Sequence, residues 1–180
     1  RPLLQCPLEA IVVAHELGGE QRRGLLVELG RRSLLLDRAG IAKRIPHSGS
    51  MCLLDRLERW DAESIHCSTR THAQPDNPLR TAGGLLAPNA IEYAAQAMAL
   101  HGGLLAAEGS SPSAGFLASA RSVRLSVARL DDIDGALQVQ ARRLSGDTHQ
   151  ILYEFAVSDS GARVLAEGRA VVVLNTPLAT

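Results

Sequence analysis

The chain has 180 residues, a length that fits one domain or one domain with an extension. Its nineteen lysines and arginines are balanced by nineteen acidic residues, so it lacks the excess of positive charge that a nucleic-acid-binding protein needs. The apolar runs in the sequence are shorter than the roughly 18 residues of a transmembrane helix, and a charged residue interrupts the first run before it resembles a signal peptide. We therefore predict neither a nucleic-acid nor a membrane role.

Residues 1–34 differ from the rest of the chain because leucine pairs mix with arginine pairs and no regular pattern continues. We interpret them as an N-terminal extension of unknown role and place the folded domain at residues 35–180. The first readable element of this domain is an apolar run at residues 51–59, between turn-forming residues, which predicts a strand.

A second strand is predicted at residues 63–71, where polar and apolar side chains alternate. Ile65, Cys67 and Thr69 fall on one face of this segment, and such a period of two is typical of a half-buried strand. Residues 73–86 are rich in proline, asparagine and glycine and predict a loop.

The clearest helix signal covers about residues 88–108. Pro88 suits a first helical turn, and the residues after it are mostly good helix formers. Because the segment is apolar on nearly all sides, we expect the helix to be buried inside the domain.

Only strand signals follow this helix, separated in the second half by short turns that contain glycine and aspartate. Short turns between long strands predict an antiparallel sheet, and a single apolar helix is expected to be wrapped by that sheet. The predicted fold class is therefore α+β, with an antiparallel sheet around one central helix. The four later strands are predicted at residues 115–130, 136–144, 149–158 and 163–174.

Three stretches, taken together and in order, resemble a known family. The first is a Pro-His pair followed by an apolar run ending in Asp-Arg. The second is a helix start in which Gln follows Glu by four positions, and the third belongs to the strands after the helix. They are similar to the FabZ-type hotdog dehydratases, and most similar to a divergent branch associated with aryl-polyene pigment and related lipid clusters in bacteria. The stretches are residues 45–56, 91–97, and 115–119 with 135–137.

The resemblance implies a hotdog fold assembled as a homodimer or as a heterodimer with another hotdog subunit. It also implies loss of water from a 3-hydroxyacyl thioester carried by acyl carrier protein, or by coenzyme A, to give the trans-2-enoyl thioester. This reaction needs a base for the C2 proton and an acid for the leaving hydroxyl, but no metal or redox cofactor. The widely spaced Cys6, Cys52 and Cys67 indicate reduced thiols rather than disulfides or a zinc site, which predicts a cytoplasmic location.

The resemblance assigns the catalytic carboxylate to Glu92, on an otherwise apolar helix where a charge is costly to bury, as suits a general acid. The family's catalytic histidine has no clean counterpart here, because the loop lacks the usual His-Phe-Pro-Gly-His-Pro pattern. His72 is the nearest histidine and is predicted to be the base. His47, from the opening Pro-His pair, is predicted to contact the substrate and is the second candidate for the base.

Two other functions stay open. A hotdog thioesterase would also use Glu92, to activate water or to attack the thioester, so this residue alone does not separate the two reactions. A non-catalytic subunit of a hotdog heterodimer would explain the departure from the family pattern around His72. Residues 77–79 also resemble part of the MaoC-type hydratase motif, but the catalytic Asp and His positions of that motif hold Pro75 and Arg80.

Overall fold

The computed structural model of the chain describes residues 35–105, 115–147 and 149–174. The extension predicted at residues 1–34 lies outside these ranges, so the boundary of the folded domain stays a prediction. The end of the predicted central helix, at residues 106–108, lies outside them as well.

The described residues form seven strands and two α-helices, joined by loops and short 3₁₀ turns. The two-residue strand β1 leads directly into the short helix α1, and the long helix α2 separates the first three strands from the last four. The elements are β1 (Leu36–Asp37), α1 (Arg38–Ala42), β2 (Arg56–Trp60), β3 (Ser64–Thr69), α2 (Ala90–Leu105), β4 (Gly115–Leu125), β5 (Leu137–Gly146), β6 (Gln150–Ser158) and β7 (Val164–Leu174).

All seven strands belong to one antiparallel sheet in the order β1-β2-β3-β5-β6-β7-β4. β3 pairs with β5, so α2 and β4 are inserted in the sequence between two neighbouring strands. β4 then pairs with β7, from Gly115 opposite Leu174 to Leu125 opposite Ala166. One edge of the sheet is therefore the very short β1, and the other is the eleven-residue β4.

The core lies between α2 and the sheet. The buried face of α2 contributes Tyr93, Ala97 and Leu100, and the alternating positions of β3, β5 and β6 supply the opposite wall. The predicted α+β arrangement, an antiparallel sheet with one central helix, is confirmed. Residues of the strand wall are Ile65, Cys67, Val139, Ala141, Tyr153, Phe155 and Val157.

The helix α2 begins at Ala90, slightly later than predicted. Pro88 lies in a 3₁₀ turn at Ala87–Asn89 that precedes the helix. The N–H groups of Asn89 and Ala90 donate within this turn, so they are not available to a ligand.

The strand predicted at residues 51–59 is wrong in its first half, because β2 covers only the end of that run. The backbone N–H of Leu53 donates to Oε1 of Gln96 at 2.9 Å. The carbonyl of Leu53 accepts hydrogen bonds from the hydroxyls of Thr69 and Thr71, at 2.6 and 2.7 Å. Because these side chains satisfy the backbone, the run is buried without joining a strand ladder.

The other predicted strands are close to the observed ones. β3, β5, β6 and β7 are confirmed, with ends displaced by one or two residues. β4 is shorter than predicted and ends at Leu125. Its pairing with β7 shifts register between Arg121 and Arg124, around Ser122, whose φ of 51° is rare for a residue with a side chain.

Candidate active site

His47 and Glu92 lie against each other although they are far apart in the sequence. Glu92 stands in the first turn of α2, and His47 lies in the irregular segment that follows α1. Nε2 of His47 is 3.3 Å from Oε1 of Glu92, and the two side chains keep 28% and 32% of their surface exposed. The pair is therefore shielded on most sides and still reachable by a small molecule.

Gln96 fixes the carboxylate from the other side. It follows Glu92 by one helical turn, and its Nε2 donates to Oε1 of Glu92 at 3.0 Å and to the carbonyl of Met51 at 2.8 Å. Because its own Oε1 accepts from the N–H of Leu53, the amide has only one orientation that satisfies all three groups. Within the described residues, no hydrogen bond reaches Oε2 of Glu92, which leaves that oxygen for a ligand.

A cavity of about 460 Å³ opens beside this pair. Its wall is formed by the half-exposed face of α2, the start of β4 and residues of β6 and β7. Its volume and mainly apolar lining are typical of a small-molecule site with a few polar groups at one place. The apolar lining includes Ala95, Ala99, Phe116, Leu117, Tyr153 and Val172.

The structure places His72 apart from this cavity. His72 is 0% exposed, in the 3₁₀ turn Thr71–Ala73 after β3. Its Nε2 donates to the carbonyl of Ile133 at 3.1 Å, and Nδ1 is buried without a partner among the described residues. Burial lowers the pKa of His72 below its ordinary value, although the bond to Ile133 acts in the opposite direction. The fold thus brings Glu92 together with His47 and not with His72.

The loop that resembles the MaoC-type motif has a packing role. Nδ2 of Asn77 donates to the carbonyl of Thr71 at 2.8 Å and to the hydroxyl of Tyr93 at 2.9 Å. The Tyr93 hydroxyl also lies 3.1 Å from the hydroxyl of Thr71, and burial raises the pKa of Tyr93. These bonds fasten the loop to α2. Arg80, which occupies the catalytic His position of that motif, is held by Asp131.

A second buried histidine, His101, bonds to neighbours deep in the core. Its Nε2 donates to the carbonyl of Asp61 at 2.9 Å, and its Nδ1 accepts from the hydroxyl of Tyr153 at 3.0 Å. Burial lowers the pKa of His101 and raises the pKa of Tyr153 to about 12. Both polar groups are satisfied, and Tyr153 presents part of its side chain to the cavity.

No group of three or more His, Cys, Asp and Glu side chains within residues 35–105, 115–147 and 149–174 could hold a metal ion. In the same part of the chain, no helix is long and apolar enough to cross a membrane. Cys52 and Cys67 are buried free thiols, and burial raises the pKa of both, that of Cys67 to about 12.

A model of the ApeP-like family, described as ApeP dehydratase, matches residues 39–179 of the chain. Among solved structures, the dehydratase heterocomplex ApeI:P from Xenorhabdus doucetiae is similar, with 26% identity and a TM-score of 0.67. The match covers 76% of this chain and 91% of that one.

Two thioesterases are similar in structure. HI1161 from Haemophilus influenzae has 11% identity and a TM-score of 0.55, covering 80% of this chain and 94% of that one. A mutant of PA1618 from Pseudomonas aeruginosa has 13% identity and a TM-score of 0.54, covering 81% and 97%. At such identities these two show a shared fold alone, and the predicted hotdog fold is confirmed. No curated protein matches the chain in sequence.

Proposed function

Because this chain belongs to the ApeP-like dehydratase family, we propose that it removes water from a 3-hydroxyacyl thioester and yields the trans-2-enoyl thioester. Family membership confirms the dehydratase class predicted from the sequence. The proposal adds that the acyl group is carried by acyl carrier protein, in polyene-type or fatty-acid biosynthesis in the cytoplasm.

The contact between His47 and Glu92 at the apolar cavity is the observation that carries the proposal. Nε2 of a neutral His47 takes the C2 proton, and Glu92 gives a proton from Oε2 to the C3 hydroxyl. The C3–O bond breaks, water leaves, and the electrons of the C2–H bond form the double bond. The proton on Nε2 then passes to Oε1 of Glu92 across their contact, and exchange with water moves it to Oε2, which restores the starting state.

His47 supports this role better than His72 does. His47 lines the cavity beside Glu92, whereas His72 is fully buried, bonds to the carbonyl of Ile133 and does not line the cavity. The 3.3 Å contact between Nε2 of His47 and Oε1 of Glu92 is close enough for a proton to pass between the two side chains during the reaction. The assignment of His72 as the base is therefore the second candidate, and the test below separates the two.

The thioesterase reaction is the alternative at the same carboxylate. Glu92 would then activate a water molecule, and the free acid would appear instead of the enoyl thioester. A histidine in contact with the carboxylate suits paired proton transfer, as dehydration requires, and the family is one of dehydratases.

The proposed partner is a related hotdog subunit, joined in a heterodimer. The similarity to a dehydratase heterocomplex supports this arrangement, as does β4, an eleven-residue strand at the edge of the sheet. Phe116 and Leu117 at the start of β4 also line the cavity, so a subunit paired there would cover the open side of the site. A homodimer through the same edge is the other arrangement.

The test is dehydration of a 3-hydroxyacyl carrier protein by the full chain, with and without a related hotdog subunit, followed by mass spectrometry for loss of water. The variants are Glu92→Gln, His47→Gln and His72→Gln. We expect kcat to fall at least about 100-fold in the first two, since general acid–base catalysis contributes roughly 10²–10⁴-fold.

His72→Gln is the matched control, because it makes the same change at a buried histidine away from the cavity. We expect it to lower the melting temperature and to leave kcat close to the wild-type value. Loss of turnover in His72→Gln alone would make His72 the base, and release of free acid would make the chain a thioesterase. If a partner subunit's own variants abolish turnover while Glu92→Gln does not, this chain is the supporting subunit.

A further inference from the structure

Residues 44–53, here called the crossing segment, run across α2 and carry His47. The segment starts where α1 ends and is held there by two bonds. The backbone N–H of Arg44 donates to the carbonyl of Ile41 at 2.8 Å, and the guanidinium of Arg44 donates to the carbonyl of Gly40 at 3.0 Å. Ile45, next in the chain, is buried in the core.

The first contact of the crossing segment with α2 is at Gly103. A Cβ atom at position 103 would lie 2.9 Å from the carbonyl oxygen of Arg44, closer than real Cβ contacts allow. The neighbour in this contact is backbone, and Arg44 is already fixed by α1, so little movement can relieve the overlap. Glycine at 103 therefore permits an approach that any larger residue would prevent.

The second contact is at Gln96, two helical turns nearer the N-terminus of α2. Its side-chain amide bonds to the carbonyl of Met51 and the N–H of Leu53. The crossing segment is thus held by α1 at one end and by Gln96 at the other, and both ends lie against the helix that carries Glu92. His47 lies between the two fixed points, which leaves its backbone little freedom relative to the carboxylate.

We propose that Gly103 is a positioning residue for His47. It lets the backbone of Arg44 lie against α2, and this close approach, together with the Gln96 contact, sets the distance between His47 and Glu92. The inference deepens the proposed function, on which its kinetic test rests. Gly103 does not touch the reacting atoms, and it acts through the crossing segment alone.

The test compares Gly103→Ala with Gly102→Ala. Both glycines line the cavity and both changes favour helix formation equally, but a Cβ atom at position 102 meets nothing within 4 Å. Gly102→Ala thus reports the effect of a methyl group in the cavity. We expect kcat to fall about 10-fold or more in Gly103→Ala with KM within about twofold of the Gly102→Ala value, since an ångström of misplacement costs up to about 10²-fold.

A spectroscopic measurement tests the inference without relying on turnover. In protein with ¹³C-labelled histidine, Glu92→Gln should move the ring resonances of His47 in the wild-type and Gly102→Ala backgrounds. In the Gly103→Ala background we expect the His47 resonances to start from a different position and to respond less than half as much. Equal responses in the two alanine backgrounds would overturn the proposal, whether or not any variant shows dehydration.

Pro46→Gly provides a second variant in case Gly103→Ala fails to fold, as judged by circular dichroism. It loosens the crossing segment between its two fixed points and leaves α2 untouched. We expect the same weakened response of His47 to Glu92→Gln. An unchanged response would show that the conformation of the crossing segment does not control the contact of His47 with Glu92, so that no positioning role would remain for Gly103.

Discussion

At the scale of single residues, Asp131 is a carboxylate whose partners come from two separate segments of the chain. It accepts hydrogen bonds from Arg129 at 2.7 and 3.0 Å and from the backbone N–H of Leu85 at 3.1 Å, and Arg80 lies 2.8 Å away. Only 2% of its side chain is exposed. These bonds join the loop before α2 to the segment after β4, and so they help to place the helix turn that holds Glu92.

The hydrogen bond from Arg129 and the bond from Leu85 lower the pKa of Asp131 to about 2, against the effect of burial. The carboxylate therefore stabilises the folded chain fully above the pKa of an unfolded aspartate, about 3.9. This contribution is lost as the pH falls from about 4 through 2. We predict that Asp131→Asn lowers the free energy of unfolding at pH 7 by about 1.5–3 kcal/mol, the range for hydrogen bonds to charged groups.

Urea unfolding at several pH values measures this effect. The difference between wild type and Asp131→Asn should shrink steadily below pH 4. Asp134→Asn is the matched control, since Asp134 is exposed and makes no hydrogen bond or ion pair in the part of the chain described. A wild-type advantage that persists unchanged at pH 2 would contradict the role assigned to the charge.

At the scale of elements, the strands with alternating side chains could be predicted from the sequence. In β3, Ile65, Cys67 and Thr69 are buried as their spacing indicates. The run around Leu53 could not be predicted, because apolar composition looks the same whether a strand or side chains satisfy the backbone. In this chain Gln96, Thr69 and Thr71 supply those bonds from distant positions.

The candidate site could also be predicted only in part, because it too depends on contacts between residues that are far apart in the sequence. Glu92 is identified by the resemblance of the helix start to the family's motif, and Gln96 belongs to the same motif, although no role for Gln96 followed from it. The contact between His47 and Glu92 joins residues that are far apart in the sequence, and no local pattern shows a contact of this kind. The sequence therefore placed His72 first and His47 second, whereas the geometry favours His47.

The face of α2 that lines the cavity carries small residues, among them Ala95 and Ala99. In the proposed reaction, this face would set how much room the acyl chain has beside the helix. We predict that Ala99→Leu lowers kcat/KM for long acyl chains by about 10-fold or more and leaves the shortest substrate within about threefold. The reason is that each methylene denied to a pocket is worth roughly 1–3 kcal/mol.

The measurement is kcat/KM against a series of 3-hydroxyacyl thioesters of increasing length. Ala99→Gly is the opposite change; it should preserve or extend the range of lengths, at a cost of about 1 kcal/mol in helix stability. Equal losses of kcat/KM for short and long acyl substrates would mean that the acyl group does not bind beside Ala99.

At the scale of the whole molecule, β4 is the edge strand at which another subunit could extend the sheet. It is long and unpaired on its outer side within the described residues, and it carries exposed apolar side chains at both ends, Phe116, Leu117 and Leu125. The charged residues of β4, Arg121 and Arg124, come after its first six residues, so the start of the strand is a template for pairing with another chain. Because the start of β4 also borders the cavity, pairing there would both bury the edge and enclose the site.

We predict that Leu117→Lys weakens the proposed heterodimer with a related hotdog subunit by about 10-fold or more in Kd, because a lysine on an edge strand opposes pairing. Val164→Lys is the matched control. Val164 is as exposed as Leu117, at 38% against 39%, but it lies at the start of β7, where it pairs with Ser158 of β6. Native mass spectrometry of mixed subunits over a concentration series gives both dissociation constants.

An equal loss of affinity in the two variants would mean that the partner binds elsewhere on the sheet. A selective loss in Leu117→Lys, together with lower turnover of the mixture, would tie completion of the site to pairing at β4.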